Sequence, residues 1–391
     1  AGADFSDRVR RMLQRMGWTR VQDVVQGVYH RNGVVLVLYS DDVFMTGPKI
    51  LVLPFFEEVD GELHFSGRSK DEEGLEQFTG IQRVFLGEDA QGTRRWKLHQ
   101  SPYCLHLCKQ YLLLSGEKSL TPFKTPAEDK PQRRDDDAEP GLHGEYCRVC
   151  IGGLFFLVRL TRPDALYAVV VLGRAVSRWT RRDDRALRRL MGYLWCTRHC
   201  GCIIAVNPAD LKICWTVLFW DSDLAGSEDT TRSTGGFCYF VLGSHGTRFL
   251  LDVGSKLLGG TSLSTPDAEI VAGATALARS AFPLLSMLEE VLARGVDMIA
   301  LTDNATALLD IQVGYSKAMR YLKRQHRVSL GLLSEAFEKP GNILGKVESG
   351  KNTSDILTKA LGPEVHARHC HGLSVDLEFA KDVLTATGAV A

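Results

Sequence analysis

The chain of 391 residues lacks an excess of charge of either sign, since 47 Lys and Arg balance 47 Asp and Glu. An overall basic charge that would attract nucleic acid to the whole surface is therefore excluded, and any such surface must be local. The sequence also lacks a long apolar run. Runs such as residues 151–158 are far short of the roughly 20 residues that span a bilayer, so we expect no membrane segment.

Cysteine is present but has no regular pattern. The ten cysteines form no evenly spaced framework of the kind that stabilises small secreted domains. No signal peptide opens the sequence, so we expect reduced thiols in an intracellular compartment, cytoplasmic or nuclear. Cys196, His199, Cys200 and Cys202 lie close together, but their spacing matches no zinc motif. Buried thiols without metal are the favoured interpretation.

The composition is globular, with 45% hydrophobic and 24% charged residues. Apolar residues recur at both helical and alternating spacing, which predicts an α/β (α+β) protein of two or three domains. Arg31-Asn32-Gly33 predicts the turn of a hairpin. Predicted helices cover residues 5–18, 164–177 (with Thr161 as its cap) and 183–196, and further predicted strands cover residues 217–220, 237–242 and 247–253.

Four acidic residues occupy ends or first turns of four different predicted elements. Asp221 follows an apolar strand, Glu269 lies in a helical pattern, Asp303 ends a second strand, and Asp355 lies just inside a helix that begins near Asn352. Clustered carboxylates repel one another unless cations lie between them. Oxygen ligands alone suit Mg²⁺ or Mn²⁺, and two such ions about 4 Å apart stabilise a phosphodiester displacement.

A second acidic pair, Asp41 and Asp42, follows the apolar strand that ends at Tyr39. An Asp pair after a strand occurs often in turns. The same pair, presented on a hairpin, is also suited to binding metal ions. Both interpretations remain open from the residues alone.

Five ordered motifs between residues 220 and 359 resemble the ribonuclease H domain of copia-type retrotransposon polyproteins. They are Trp-Asp-Ser-Asp-Leu-Ala-Gly at 220–226, Arg-Ser-Thr-Gly-Gly at 232–236, Leu-Ser-Thr-Pro-Asp-Ala-Glu at 263–269, Thr-Asp-Asn at 302–304 and Ser-Asp-Ile-Leu-Thr-Lys at 354–359. The resemblance implies that Asp221, Glu269, Asp303 and Asp355 are the catalytic metal ligands. It gives accessory roles to Asp223, Asn304 and His326.

Residues 39–42, Tyr-Ser-Asp-Asp, resemble the Asp-Asp box of reverse transcriptases, and weaker matches follow at 78–81, 98–103 and 121–126. The resemblance implies metal binding by Asp41 and Asp42, with Tyr39 as an accessory residue. Such polymerases need a third Asp on an earlier strand. We expect the polymerase module to be incomplete and polymerase activity to be absent without a partner.

These resemblances predict a division of the chain into five parts. They are a partial reverse transcriptase, palm and thumb (1–126), a charged, solvated linker (127–145), a connection segment (146–215), a ribonuclease H-like mixed-sheet domain (216–362) and a C-terminal tail (363–391).

Two local basic surfaces are predicted to bind nucleic acid. The arginine-rich segment, with interleaved aromatic residues, comprises Arg174, Arg178, Arg181, Arg182, Arg185, Arg188 and Arg189. The basic stripe, predicted as a helix with its cations at three-to-four spacing, comprises Lys317, Arg320, Lys323, Arg324 and Arg327. Solvated surface charge is the alternative for both.

The resemblance implies Mg²⁺-dependent hydrolysis of RNA in RNA–DNA hybrids, with template-primer nucleic acid and the rest of a Pol polyprotein as partners. An integrase or transposase is disfavoured, because those sites end in Glu soon after the second Asp. An inactive or host-recruited remnant that only binds nucleic acid is a third interpretation. Loss of one of the four acids would have favoured it, but all four are present.

Overall fold

The computed structural model describes residues 2–21, 27–40, 42–65, 77–226 and 230–380. Within these ranges, thirteen strands form two sheets, and twelve α-helices accompany them. The mixed α/β class expected from the sequence is confirmed. Of the predicted site residues, Asp41 lies outside the described residues, as do residues 381–391 of the predicted tail.

The N-terminal part contains a four-stranded antiparallel sheet. Its elements in chain order are α1 (Gly2–Arg15), β1 (Thr19–Arg20), β2 (Val28–Arg31), β3 (Val34–Tyr39), β4 (Asp42–Thr46) and α2 (Lys49–Leu63). The strands pair in the order β1-β2-β3-β4. Val9 and Leu13 of α1 share a core with Leu36 of β3. The predicted hairpin turn is confirmed, because Asn32 and Gly33 between β2 and β3 have φ of 50° and 78°, as a two-residue turn of this kind requires.

A nine-stranded mixed sheet organises the rest of the protein. Its strands are β5 (Gln77–Phe78), β6 (Ile81–Glu88), β7 (Arg94–His99), β8 (Cys202–Val206), β9 (Trp215–Asp223), β10 (Thr234–Leu242), β11 (Arg248–Leu257), β12 (Met298–Thr302) and β13 (Asn342–Lys346). They lie in the order β13-β12-β9-β10-β11-β8-β7-β6-β5. Strand β12 runs parallel to both β9 and β13, and the other pairs are antiparallel.

Helices cover both faces of this sheet. On one face are α3 (Ser101–Ser115), α4 (Cys147–Leu160), α5 (Leu166–Ala175), α6 (Arg181–Cys196) and α12 (Pro363–Gly372), and on the other are α7 (Thr265–Ala276), α8 (Phe282–Leu292), α9 (Ala305–Val313), α10 (Leu322–Gln325) and α11 (Leu330–Glu338). Side chains of β9 alternate between the two cores, with Phe219 in the first and Leu218 and Trp220 in the second. Two-sided burial explains why this strand has an almost continuous apolar sequence.

The predicted helix at 164–177 begins differently from expectation. A 3₁₀-helix spans Pro163–Ala165, and α5 follows it. Thr161 does not cap the helix, since its hydroxyl donates to Gln100 Oε1 at 3.0 Å. Asp164 is buried and accepts two hydrogen bonds from Arg162, at 3.0 and 2.8 Å. The reason is electrostatic. Leaving the buried guanidinium of Arg162 without a carboxylate would cost more free energy than leaving the helix end without one.

The predicted linker is only partly solvated. Residues 127–139 contain no helix or strand, but Arg185 of α6 forms ion pairs with Asp136 and Asp137. Asp184 accepts hydrogen bonds from the backbone N–H groups of residues 142 and 143, at 2.7 and 3.2 Å. The charges of this stretch therefore tie it to α6. The nine-stranded sheet takes strands from both sides of residue 126, and the proposed division into domains stays a prediction.

One helical run, Thr265–Leu292, is long and apolar enough to cross a membrane by length and composition alone. Polar residues interrupt it, so it was not among the apolar stretches singled out in the sequence. Half of its most apolar window is buried inside the protein, and α7 within it packs against β9 and β10. Such packing is typical of a core helix. All ten cysteines lie within the described ranges and are buried thiols outside any disulfide.

Candidate active site

The parallel pairing of β9 and β12 brings Asp221 and Asp303 together. The last paired residues are Phe219 and Leu301. Asp221 lies two positions after Phe219, and Asp303 lies two positions after Leu301. Because side chains alternate along a strand, the two carboxylates leave the sheet at the same edge and on the same side.

Glu269 reaches this edge from the second turn of α7. Ser264 caps the helix by accepting a hydrogen bond from the N–H of Asp267, which fixes where the helix begins. Glu269 Oε1 accepts hydrogen bonds from the backbone N–H of Ser222 at 2.9 Å and from its hydroxyl at 3.1 Å. Its Oε2 accepts one from the hydroxyl of Thr302 at 3.3 Å. Glu269 is thus held between β9 and β12.

Asp221, Glu269 and Asp303 form what we call the acidic cluster. One oxygen from each lies within 4.8 Å of the others. Burial, followed by the charge of Asp221, raises the pKa of Glu269 to about 9. Burial, followed by the charge of Asp355, raises the pKa of Asp221. Burial and crowding thus disfavour the ionised carboxylates unless a cation lies among them, and their oxygen donors fit a hard divalent cation.

Asp355 lies beside Asp221 rather than inside the acidic cluster. It belongs to a 3₁₀-helix, Thr353–Leu357, instead of the predicted α-helix. Asn352 caps this helix and donates from Nδ2 to the carbonyl of Trp220 at 2.9 Å. This bond joins the segment to β9, and the backbone of the sheet therefore determines where Asp355 lies.

Lys359 and Thr358 complete this side of the site. Lys359 Nζ lies 3.0 Å from Asp355 Oδ1 and 3.9 Å from Asp221 Oδ2. The hydroxyl of Thr358 donates to Asp221 Oδ2. Burial lowers the pKa of Lys359, but the charges of Asp221 and Asp355 outweigh it and the net direction is upward, so its ammonium stays protonated.

Sequence reasoning did not single out these supporting residues. Thr358 and Lys359 are the last two residues of the motif that contains Asp355, and spacing i to i+4 from Asp355 to Lys359 was the available signal. Ser222, Thr302 and Asn352 carried no comparable signal, because their role depends on contacts between distant elements.

The accessory residues have different surroundings. Asp223 is half-buried, and its carboxylate lies against Gly226. A Cβ atom at position 226 would lie 1.5 Å from Asp223 Oδ2, so the space is open only to glycine. Asn304 caps α9 by accepting hydrogen bonds from the N–H groups of Thr306 and Ala307. Its position next to Asp303 therefore has a structural explanation.

His326 lies against the first turn of α7 instead of the acidic cluster. Its side chain is 1% exposed, and Nε2 is 3.5 Å from Asp267 Oδ1. Asp267 also accepts hydrogen bonds from Leu263 N–H at 2.8 Å and from the Tyr321 hydroxyl at 3.0 Å. This position places the imidazole in a structural network rather than at the acidic cluster, and the accessory role of His326 stays a prediction.

The second predicted acidic site is only partly described. Asp42 begins β4, is exposed, and accepts a hydrogen bond from Thr79 N–H at 3.3 Å. Tyr39 is 62% exposed. Within the described ranges, Asp42 belongs to no group of three metal-ligating side chains. Metal binding by Asp41 and Asp42 stays a prediction.

The arginine-rich segment is used largely for internal contacts. Arg188 pairs with Glu117 at 3.1 Å, and Arg189 donates to Thr125 at 3.0 Å. Arg185 pairs with the acidic stretch described above, and Arg178 and Arg182 also have partners. Arg174 differs, because it is half-buried and donates to Thr234 at 3.3 Å. Thr234 lies opposite Asp223 on β10, at the edge of the site.

The basic stripe is not a continuous helix, and that part of the prediction is wrong. Turns and bends cover residues 317–321, α10 is only four residues long, and Arg327 has a left-handed φ of 57°. The five cations are nevertheless exposed. The helical spacing failed because Met319 and Leu322 are the buried positions here, and a short turn satisfies that spacing as well as a helix does.

The fold and the site together define an α/β protein with a polyacidic site at the end of a parallel strand pair. No family model matches the chain. It is 23% identical over 337 residues to the retrovirus-related Pol polyprotein from transposon TNT 1-94 of Nicotiana tabacum, covering 84% of this chain and 23% of the polyprotein. It is 31% identical over 211 residues to an uncharacterised mitochondrial protein of Arabidopsis thaliana, covering 53% of this chain and 78% of that protein.

A third relative is the retrovirus-related Pol polyprotein from transposon RE2 of Arabidopsis thaliana, 29% identical over 216 residues, of which this chain spans 14%. The chain belongs to the family of retrovirus-related Pol polyproteins from copia-type transposons. It spans less than a quarter of the length of the polyproteins that it matches.

Two solved structures were also found to be similar. One is ribonuclease H1 from Halobacterium salinarum, with 16% identity, 37% of this chain and 93% of that chain covered, and a TM-score of 0.27. The other is LC11 ribonuclease H1 in complex with an RNA/DNA hybrid, with the same identity, coverage and TM-score.

Proposed function

We propose that this chain hydrolyses the RNA strand of RNA–DNA hybrids with the help of divalent cations, Mg²⁺ or Mn²⁺. The observation that carries the proposal is the acidic cluster, in which one oxygen from each of three carboxylates lies within 4.8 Å of the others. Burial, followed by the charge of Asp221, raises the pKa of Glu269 there to about 9. Buried carboxylates this close are costly unless a cation compensates them. The motif order shared with copia-type polyproteins supports the same chemistry.

The four carboxylates would form two cation-binding positions. Asp221, Glu269 and Asp303 would hold one cation, and Asp221 with Asp355 would hold a second. When bound, such a pair of ions supplies a hydroxide nucleophile and stabilises the departing 3′ oxygen of the phosphodiester. Ser222 and Thr302 keep both oxygens of Glu269 oriented towards the cluster. Thr358 does the same for Asp221.

Arg174 would contact the backbone of the hybrid next to the acidic cluster. Its guanidinium is half-buried, and burial lowers its pKa. Nη1 donates to Thr234, but Nη2 has no hydrogen-bond partner within the described ranges. A guanidinium that is only partly exposed and has no carboxylate partner within the described ranges is suited to a phosphate, which accepts hydrogen bonds and brings negative charge.

Discrimination between RNA and DNA would come from the 2′-hydroxyl of the strand that is cut. The exposed basic stripe would contribute phosphate contacts without sequence preference. Three of the relatives are Pol polyproteins, so the chain would act as one part of a larger Pol product that also handles template and primer.

The test is cleavage of an end-labelled RNA–DNA hybrid in Mg²⁺, with a DNA duplex as substrate control. We expect cutting of the RNA strand alone. Asp303→Asn removes a cation ligand and is expected to lower the rate by at least about 100-fold. Asp310→Asn, on α9 outside the acidic cluster, serves as the matched control and is expected to cut normally.

Folded protein that binds the hybrid without cutting it would contradict the proposal. That result would favour the alternative, a remnant that only binds nucleic acid.

A further inference from the structure

Lys359 places one ammonium group among four carboxylates. It lies 3.0 Å from Asp355 and 3.9 Å from Asp221. The side chain is 43% exposed, whereas those of Asp221 and Asp355 are 6% and 15% exposed. The ammonium therefore lies at the solvent side of the site, above carboxylates that are themselves mostly buried.

This ammonium divides the site into two unequal halves. One oxygen from each of Asp221, Glu269 and Asp303 lies within 4.8 Å of the others. Lys359 approaches this group at Asp221, at 3.9 Å, and leaves the oxygens of Glu269 and Asp303 to a cation. Asp355 stands apart from that group and already has a positive partner in Lys359. A divalent ion placed between Asp221 and Asp355 would lie next to the ammonium and would be repelled by it.

We propose that the Lys359 ammonium occupies the place of a second divalent cation between Asp221 and Asp355, so that the chain holds one tightly bound cation until a nucleic acid arrives. The inference rests on the proposed function and assigns to Lys359 control over cation number. Lysine suits this role because its charge is carried on a flexible four-carbon stem. A phosphate oxygen of the hybrid can draw the ammonium outward and open the second position.

The test is a titration of the metal-free protein with Mn²⁺ in the absence of nucleic acid. Electron paramagnetic resonance then gives the number of Mn²⁺ ions bound per chain. We expect one tightly bound ion in the wild-type chain and two in Lys359→Met. Lys359→Arg keeps the charge and is expected to bind one. Lys351→Met is the matched control, because Lys351 forms an exposed ion pair with Glu348, at 2.9 Å, outside the site, and it is expected to bind one.

Two tightly bound ions in the wild-type chain would overturn the inference, and so would a single ion in folded Lys359→Met. If Lys359→Met does not fold, the wild-type count decides, with one ion supporting the inference and two overturning it. No tightly bound ion in the wild-type chain would instead contradict the cation site of the proposed function. The melting temperature in chelator gives a second readout. We expect Lys359→Met to melt lower than Lys351→Met, because Asp355 loses its counter-charge.

Discussion

Ser222 gives Glu269 two hydrogen bonds, one from its backbone N–H at 2.9 Å and one from its hydroxyl at 3.1 Å. The residue that follows Asp221 on β9 thus orients the carboxylate that α7 contributes. The strand and the helix are joined at the site itself, so the position of Glu269 relative to β9 does not depend on a loop.

Replacing Ser222 by Ala should weaken cation binding. The hydroxyl bond stabilises the charged form of Glu269, and a hydrogen bond to a charged group contributes about 1.5 kcal/mol or more. We expect Mn²⁺ affinity to fall about tenfold, as measured by calorimetric titration. The backbone bond remains, so the fold should persist. Unchanged affinity would mean that the hydroxyl does not orient Glu269.

The stability of the protein without metal should fall as pH rises. The pKa of Glu269 is raised in the folded protein, from an ordinary value of 4.5 to about 9. Between these values the folded state binds more protons than the unfolded state, so the free energy of unfolding decreases with increasing pH. Urea unfolding in chelator should show this decline across that window.

Saturating Mg²⁺ should flatten the same profile, because a bound cation stabilises the ionised carboxylate. Glu269→Gln should flatten it without metal. A profile that stays steep in Glu269→Gln would assign the titration to another group.

The parts of the site and the fold that could be predicted from the sequence are those determined by neighbouring residues in the chain. Asp221 and Asp303 follow apolar strands, and the hairpin at Asn32-Gly33 has a backbone requirement that few residues satisfy. Asn352 and Lys359 could not be assigned their roles, because these depend on contacts with β9, more than 100 positions away along the chain. Contacts between residues so far apart in the sequence cannot be recognised from the spacing of neighbouring residues.

Two side chains have partners that the sequence did not indicate. Thr161 has the right residue type for a helix cap but bonds Gln100 instead. Arg188 has the right charge for a phosphate but pairs with Glu117. Thr161 is therefore an error of the sequence analysis, whereas nucleic-acid binding by Arg188 stays a prediction, and in both cases the partner comes from a distant segment.

Asn352→Ala should destabilise the protein and disturb Asp355. The change removes a helix cap and the bond from Nδ2 to the Trp220 carbonyl. A buried carbonyl left without its partner, together with the lost cap, should cost about 2–3 kcal/mol of unfolding free energy. Urea titration measures it. Ser329→Ala removes a cap from α11, away from the site, and should cost about 1 kcal/mol with no effect on Mn²⁺ binding. Equal effects on Mn²⁺ binding would contradict the role given to Asn352.

Arg174→Gln should weaken hybrid binding and reduce its salt dependence. One lost phosphate contact lowers the slope of log affinity against log salt by about 1. We expect affinity at low salt to fall about tenfold, as measured by fluorescence anisotropy with Ca²⁺ in place of Mg²⁺. Arg188→Gln removes a cation that already pairs with Glu117, and should leave the slope unchanged. If both variants reduce the slope equally, the arginine-rich segment binds the hybrid as a whole.

The most direct measurement of the central claim is an analysis of the ends produced when the chain cuts a hybrid in Mg²⁺. Hydrolysis by cation-activated water at the acidic cluster expels the 3′ oxygen, so the account predicts 3′-hydroxyl and 5′-phosphate ends on the RNA. It also predicts loss of these products in Asp303→Asn. Ends carrying a 2′,3′-cyclic phosphate would show attack by the 2′-hydroxyl of the RNA itself, and would contradict the account.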